Sequence, residues 1–337
     1  MKALRREKAE TTPIWLMRQA GRFMPEYREI RSKMGFLELC HNPQVCAEVT
    51  CMAVDMLNVD AAIIFSDILL PLQSLGCELE FVKGDGPVIH KPVRNVEDVA
   101  NLLSFDCAES LSYVLDAIKL TRKELPAHIP LIGFAGAPFT LASYLIEGGS
   151  SRSFEKTKRF MYAEPAAWHQ LMKILSKIVS EHLTNQVNAG AQAVQIFDSW
   201  VGCLSRWDYA EYVYPHLRET VANLNKIAPV IYFGTDTAHL LSIAKGADVD
   251  MIGVDWRCDL DEAWRTIGHD KAIQGNLDPV ILYADKQTIR ERVEQILGKA
   301  KGRPGHVFNL GHGVLPQTPV DNVKYLVELV RELSAKQ

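Results

Sequence analysis

The sequence predicts an α/β fold, and within that class a single-domain (β/α)8 TIM barrel spanning residues 1–337. Three observations carry this expectation. Eight short apolar runs recur along the 337 residues, each in a stretch of strand length. Amphipathic stretches with helical spacing separate them, and such alternation marks a parallel sheet covered by helices. No Gly-x-Gly-x-x-Gly follows the first run, which weighs against a doubly wound dinucleotide-binding sheet.

The runs are Pro13–Met17, Ala61–Phe65, Pro130–Phe134, Ala193–Phe197, Val230–Phe233, Met251–Val254, Ala272–Gln274 and Val307–Leu310. Most are unbroken apolar runs, as befits strands buried on both faces. Helices are expected at Pro43–Leu57 with Asn42 as cap, and at Ser110–Leu125, Pro165–Val187, Tyr209–Ile227, Ala238–Ala244, Asp259–Ile267, Lys286–Gly298 and Val320–Leu333. The longest stretch without Lys, Arg, Asp or Glu, Leu125 to Ile146, contains Pro126, Pro130 and Pro138. It reads as strand, loop and helix start, not as a membrane span.

Composition narrows the function. A hydrophobic content of 47% supports a full core, and a net charge of −4 gives no field to attract nucleic acid. Charge is nonetheless uneven: residues 1–33 hold nine Lys or Arg against four acids, leaving the remainder acidic. That segment is either a solvated basic end or an anion site. Seven Cys without a Cys-x-x-Cys, and a charged start without an apolar core, predict a cytoplasmic protein with reduced thiols.

A barrel gathers its chemistry where strands end and βα loops begin. The polar residues following the eight runs include Arg18, Asp67, Asp198 and Ser199, Thr235 and Asp236, Asp255, Asn276 and His312. Such positions also serve as helix caps, and Asp236, Asp259 and Asp285 are expected to be caps. Arg18 and His312 are poor caps, which favours a functional reading.

Six segments, in order, resemble the uroporphyrinogen decarboxylase family: Pro13-Ile-Trp-Leu-Met-Arg-Gln-Ala-Gly-Arg22, Ile64-Phe-Ser-Asp-Ile68, Gly133-Phe-Ala-Gly-Ala-Pro-Phe-Thr140 continuing to Tyr144, Phe197-Asp-Ser-Trp200, Gln274-Gly-Asn-Leu-Asp-Pro279 and Asn309-Leu-Gly-His-Gly313. Phe23 stands where the family often has Tyr, and the segment before Pro13 is shorter than in many relatives. The resemblance implies a homodimeric barrel without metal or prosthetic group. It implies a substrate, uroporphyrinogen III, whose four acetates become methyl groups to give coproporphyrinogen III and CO2.

The resemblance also assigns roles. Asp67 matches the carboxylate that faces the pyrrole N–H groups and favours a cationic ring. Arg18 and Arg22 match residues that bind substrate carboxylates, a task suited to a planar guanidinium that stays protonated. They would share a face if the segment turned helical. Arg18 is sometimes proposed as proton donor in the family, although its high pKa makes that costly. Arg31 is either a further carboxylate contact or a solvated charge. Gln19, Ala20 and Gly21 would bring backbone N–H groups to an anion. Tyr144 and Ser199 match residues that hydrogen-bond acetate groups, and His312 is assigned to carboxylate binding. The catalytic expectation therefore falls on Asp67, Arg18 and Tyr144.

Two other classes compete. A related barrel methyltransferase would hold zinc through a His-x-Cys and a later Cys, yet none of the ten His has Cys two residues on. A non-catalytic tetrapyrrole-binding protein would lack reason to combine Asp67, Tyr144 and His312.

Overall fold

The computed structural model describes residues 1–82, 86–102 and 106–335. Seven of the eight apolar runs supply the strands of one curled parallel sheet, in the order β1 (Ala62–Ile63), β4 (Leu131–Gly136), β5 (Ala193–Asp198), β6 (Val230–Gly234), β7 (Met251–Gly253), β8 (Ala272–Gln274) and β9 (His306–Val307). The register places Phe134 opposite Gln195 and Phe197 opposite Phe233. Between β1 and β4 the chain adds an antiparallel hairpin, β2 (Leu79–Val82) and β3 (Gly86–Ile89), which the apolar periodicity did not predict.

The remaining run, 13–17, closes the barrel with one bridge instead of a ladder. Ile14 pairs in parallel with Phe308. On its other side, the Asp60 N–H donates to the Ile14 carbonyl at 2.8 Å, and the Ile14 N–H donates to the Asp60 carboxylate at 2.8 Å. A side chain thus replaces a missing ladder bond. Arg331, from the helix Val320–Ser334, pairs with the same carboxylate at 2.7 Å and fastens the last helix over the seam.

The barrel interior carries polar groups that satisfy one another. Trp15 donates to Gln274 at 3.1 Å, and Gln274 donates to Gln195 at 3.2 Å. Below them, at the amino-terminal ends of the strands, a cavity of about 40 Å³ is lined by Met1, Leu4, Trp15, Ile132, Ile231 and Met251. The short turn Ala3–Arg5 covers this floor.

The helices follow their caps. Pro43–Leu57 begins at Asn42, whose side chain accepts the Val45 N–H at 3.2 Å. Lys286–Ala300 begins at Asp285, which accepts from Thr288 at 2.8 Å. Asp259 precedes Leu260–Ile267, but its carboxylate pairs with Lys299 and caps nothing. Asp236 is not a cap: it sits at φ +57°, and its N–H donates to Asp255 at 2.7 Å. The expected helix 209–227 divides. Pro215 has no N–H to give, and the preceding turn widens into a π-helix, Tyr209–Val213, before Tyr214–Asn223 resumes. Further helices, Pro25–Lys33, Phe36–Cys40 and Glu155–Ala163, had no sequence-based expectation. Among the described residues, no helix is long and apolar enough to cross a membrane.

Candidate active site

The carboxyl-terminal ends of the strands form a mouth, and its geometry begins with the loop after Ile14. The Met17 N–H donates to the Asn309 side chain at 3.1 Å, and the Met17 carbonyl accepts from Val314 at 2.9 Å. Arg18, next in line, adopts φ +60°, a left-handed conformation a non-glycine residue rarely takes. The segment from 17 to 24 is a series of turns, so the expected helical pairing of Arg18 with Arg22 does not occur. Arg18 lies across Gly313: a Cβ there would stand 2.4 Å from Arg18 Cδ.

Gln19 departs from its expected role. Its side chain accepts from Leu16 at 3.1 Å and donates to the Ala61 carbonyl at 3.1 Å, while its own N–H donates to the Leu16 carbonyl at 2.9 Å. Buried and engaged at both ends, it shapes the loop and presents no donor to a ligand. The N–H groups of Ala20 and Gly21 donate to no described residue. Arg22 is exposed and free of ion-pair partners among the described residues. Arg31 is half-buried: it donates to the Met34 carbonyl and lies over the Phe36 ring at 5.7 Å.

Asp67 follows β1. Its Oδ1 accepts the Leu69 N–H at 2.9 Å, the turn-capping bond expected of any Asp there. The other oxygen accepts no hydrogen bond from the described residues. The Ile68 carbonyl accepts from Gly136 at 3.1 Å and draws this loop against the end of β4. Burial pushes the Asp67 carboxyl up to about 6, with the Leu69 N–H and the nearby Arg18 guanidinium opposing the shift.

Tyr144 comes from the helix Pro138–Glu147, with its ring 5.8 Å from that of Trp200. Burial, then the Asp67 charge, raises its phenol above the usual range, so it stays protonated and can donate. Ser199 sits half-buried at the end of β5, and its carbonyl accepts from Thr235. Beneath it, buried Asp198, the last residue of β5, accepts from Thr140 at 2.9 Å and from Tyr232 at 2.8 Å, tying the helix after β4 to β5 and β6.

His312 is half-buried between Gly311 and Gly313. Burial first, then the charges of Arg18 and Arg257, push its imidazole down to about 4. It is neutral at physiological pH. The mouth therefore brings Asp67, Tyr144, Arg18 and His312 within electrostatic reach of one another. Ser199 and Arg22 stand on neighbouring loops of the same mouth, and Arg31 lies farther along the helix that follows the arginine loop.

Sequence reasoning passed over Asp255, Arg257 and Trp200 as site residues. In the sequence Asp255 stands out only as the polar residue after the sixth run. The Asp-Trp-Arg order following an apolar strand was the one signal available for Arg257.

A parallel barrel whose mouth sets a half-buried carboxylate and a protonated phenol beside guanidinium groups defines an enzyme that handles a polyanion. The comparisons make this particular. The sequence model of the family described as Uroporphyrinogen decarboxylase (URO-D) matches residues 1–333. A uroporphyrinogen decarboxylase of Chloroflexus aurantiacus is 55% identical over 336 residues, covering 98% of this chain and 94% of that protein. One of Carboxydothermus hydrogenoformans is 52% identical, covering 99% and 96%. The chain belongs to the uroporphyrinogen decarboxylase family. A methyltransferase from Methanosarcina mazei has the same fold, with a TM-score of 0.84 at 19% identity over 98% of this chain and 96% of its own. That likeness concerns the barrel alone. Among the described residues, no three His, Cys, Asp or Glu converge as metal ligands would.

Proposed function

We propose that this enzyme decarboxylates the four acetate side chains of uroporphyrinogen III to methyl groups, giving coproporphyrinogen III and four CO2. The observation that carries the reading is the placement of Asp67 at the mouth, beside a protonated Tyr144 and within reach of the Arg18 charge.

Loss of CO2 from an acetate requires an acceptor for the electron pair, and the pyrrole itself supplies one. A proton added to the ring carbon next to the acetate-bearing carbon makes the ring cationic. The C–C bond to the carboxylate then breaks, its electrons neutralise the ring as an exocyclic methylene, and CO2 departs. A proton delivered to the methylene gives the methyl group, and loss of the first proton restores the pyrrole. Each acetate consumes one proton in balance. No metal or organic cofactor enters this sequence.

Asp67, ionised above about 6, faces the pyrrole N–H groups and stabilises the cationic ring. Arg18 and Arg22 bind carboxylates, and Arg18 holds the reacting acetate in position. Its guanidinium is a poor proton donor, so its catalytic contribution is electrostatic. Tyr144 and Ser199 hydrogen-bond the acetate, and His312 takes another carboxylate. The N–H groups of Ala20 and Gly21 face the same anion. Gln19 serves by holding their loop, and Arg31 gives a peripheral contact with the donors Met34 leaves over. We assign the enzyme to the cytoplasm as a homodimer of one-domain chains, supported by family membership and by seven free cysteines. Light scattering of the purified protein reads the oligomeric state.

Anaerobic incubation with uroporphyrinogen III, then oxidation and chromatography, tests the activity. Porphyrins with seven to four carboxyls are expected. Recovery of only the eight-carboxyl compound, with folded protein that binds it, would favour a carrier instead.

A further inference from the structure

One cation at the mouth has no part in the reading above. Arg257 follows β7 on the loop 255–257, and three contacts fix it. Its Nη1 pairs with Asp255, its own N–H donates to the same carboxylate at 3.1 Å, and its guanidinium lies 4.3 Å from the centre of the Trp256 ring. Asp255 is itself immobile: 1% exposed, it also accepts the Asp236 N–H at 2.7 Å. The Arg257 side chain nevertheless remains 45% exposed. A planar guanidinium has five N–H donors, and Asp255 occupies one edge only.

Two glycines place this group beside His312 and Arg18. A Cβ on Gly311 would stand 2.6 Å from the Trp256 backbone nitrogen and 2.9 Å from Asp255 Cα. A Cβ on Gly313 would collide with Arg18. The loop carrying His312 is thus pressed against the loop of Arg257 on one side and against Arg18 on the other. The result is an unbroken row: Arg18, His312, Arg257. A structural ion pair would need only the edge that faces Asp255; it would not need a guanidinium stacked on an indole with its other donors left exposed beside His312.

We infer that Arg257 is a further substrate-binding residue, pre-oriented by Asp255 and Trp256 to take one peripheral carboxylate of the tetrapyrrole at the end of the Arg18–His312 row. The inference rests on the tetrapyrrole reading. It assigns Arg257 to affinity and placement of the macrocycle and not to proton transfer.

The test compares Arg257→Gln with the wild type in anaerobic turnover of uroporphyrinogen III at two ionic strengths. The expected result is a KM raised roughly five- to tenfold, in the range of one charged hydrogen bond at a half-exposed site, with kcat reduced less than threefold. The salt dependence of kcat/KM should also become shallower, because one cation has left the binding surface. An unchanged KM and salt slope in a folded variant would overturn the inference and leave Arg257 as a structural partner of Asp255. Should the single variant fail to fold, the double variant Asp255→Asn/Arg257→Gln removes the buried charge together with its partner, and the same two outcomes decide. Wild-type protein without turnover would refute the decarboxylase reading separately. Quenching of uroporphyrin fluorescence would then still compare the affinity of wild type and variant, with equal affinities overturning the assignment.

Discussion

The frame of the barrel and its mouth use the same residue types to opposite ends. At the closing seam, the Asp60 carboxylate takes the Ile14 N–H and the Arg331 guanidinium, so both oxygens are engaged. In the interior, Trp15, Gln274 and Gln195 satisfy one another. At the mouth, among the described residues, Asp67 has one oxygen without a hydrogen bond and Arg18 forms no ion pair while holding a strained left-handed backbone. Charges that are paired stabilise a fold; charges held apart in a partly desolvated cleft destabilise it and are available to a ligand. The two ends should therefore respond to mutation in opposite ways.

The largest contrast is expected at the two aspartates. Asp67→Asn should lower kcat about a thousandfold, since a neutral amide cannot offset a cationic ring. It should not destabilise the protein. The folded carboxyl, at about 6, lies above its ordinary 3.8, so the group favours folding below pH 3.8 and loses that contribution as pH rises through 6. At neutral pH the ionised carboxylate is a burden, and Asn, which keeps the capping acceptor, should raise stability by about 1 kcal/mol. Thermal melts with single-turnover assays check both signs. A destabilised Asp67→Asn would break the comparison.

Asp60→Ala should do the reverse. Removing the carboxylate strands the Ile14 N–H and frees Arg331, at a cost of about 2 kcal/mol, or about thirtyfold in the folding equilibrium. Turnover per folded molecule should stay near that of the wild type. Urea titration at pH 7 measures the first and active-site-normalised assays the second.

How much of this was legible in the chain depends on whether a feature is local. Seven of the eight strand runs and the cap at Asn42 follow from residue order, and the structure places them as expected. Asp67 and His312 could be singled out because each ends an apolar run. What residue order hides is contact between distant segments. Nothing near Ile14 indicates that Phe308, 294 positions on, will close the sheet. Nothing near Gln19 says that its amide will reach the Ala61 carbonyl and leave it nothing to offer a ligand. The hairpin β2–β3 escaped because only four residues form each strand and their burial does not alternate cleanly. Arg257 escaped because its neighbours on the row, His312 and Arg18, lie 55 and 239 positions away in the sequence.

A subtler substitution probes the mouth without touching any polar group. Gly313→Ala should displace the Arg18 side chain, since the added carbon would overlap Cδ and Cγ, at 2.4 and 2.6 Å. A flexible side chain can yield, so the cost in stability should be small. Its misplacement should still reduce kcat/KM about tenfold. A tenfold loss of stability with full activity would locate Gly313 in the frame instead.

The smallest effect separates two histidines that share a depressed pKa for different reasons. His306 is buried in the barrel wall and held down to about 4 by burial, against the bond to the Gly275 carbonyl at 3.0 Å. His312 is held down to about 4 by burial together with two guanidinium groups. In the free protein both behave alike. The unfolded imidazole protonates near 6.5 and the folded one near 4, so each contributes stability above pH 6.5 that is lost as pH falls from 6.5 through 4. Binding a polycarboxylate should divide them. Carboxylates arriving at the mouth neutralise the guanidinium groups and favour the imidazolium of His312, raising its pKa by about one unit. His306, beyond the reach of the ligand, should not move. Imidazole resonances followed by NMR over pH 3.5–7.5, with and without uroporphyrin, resolve the two. Equal shifts, or none, would mean that the charges around His312 do not answer to the ligand and that the mouth is as self-contained as the frame beneath it.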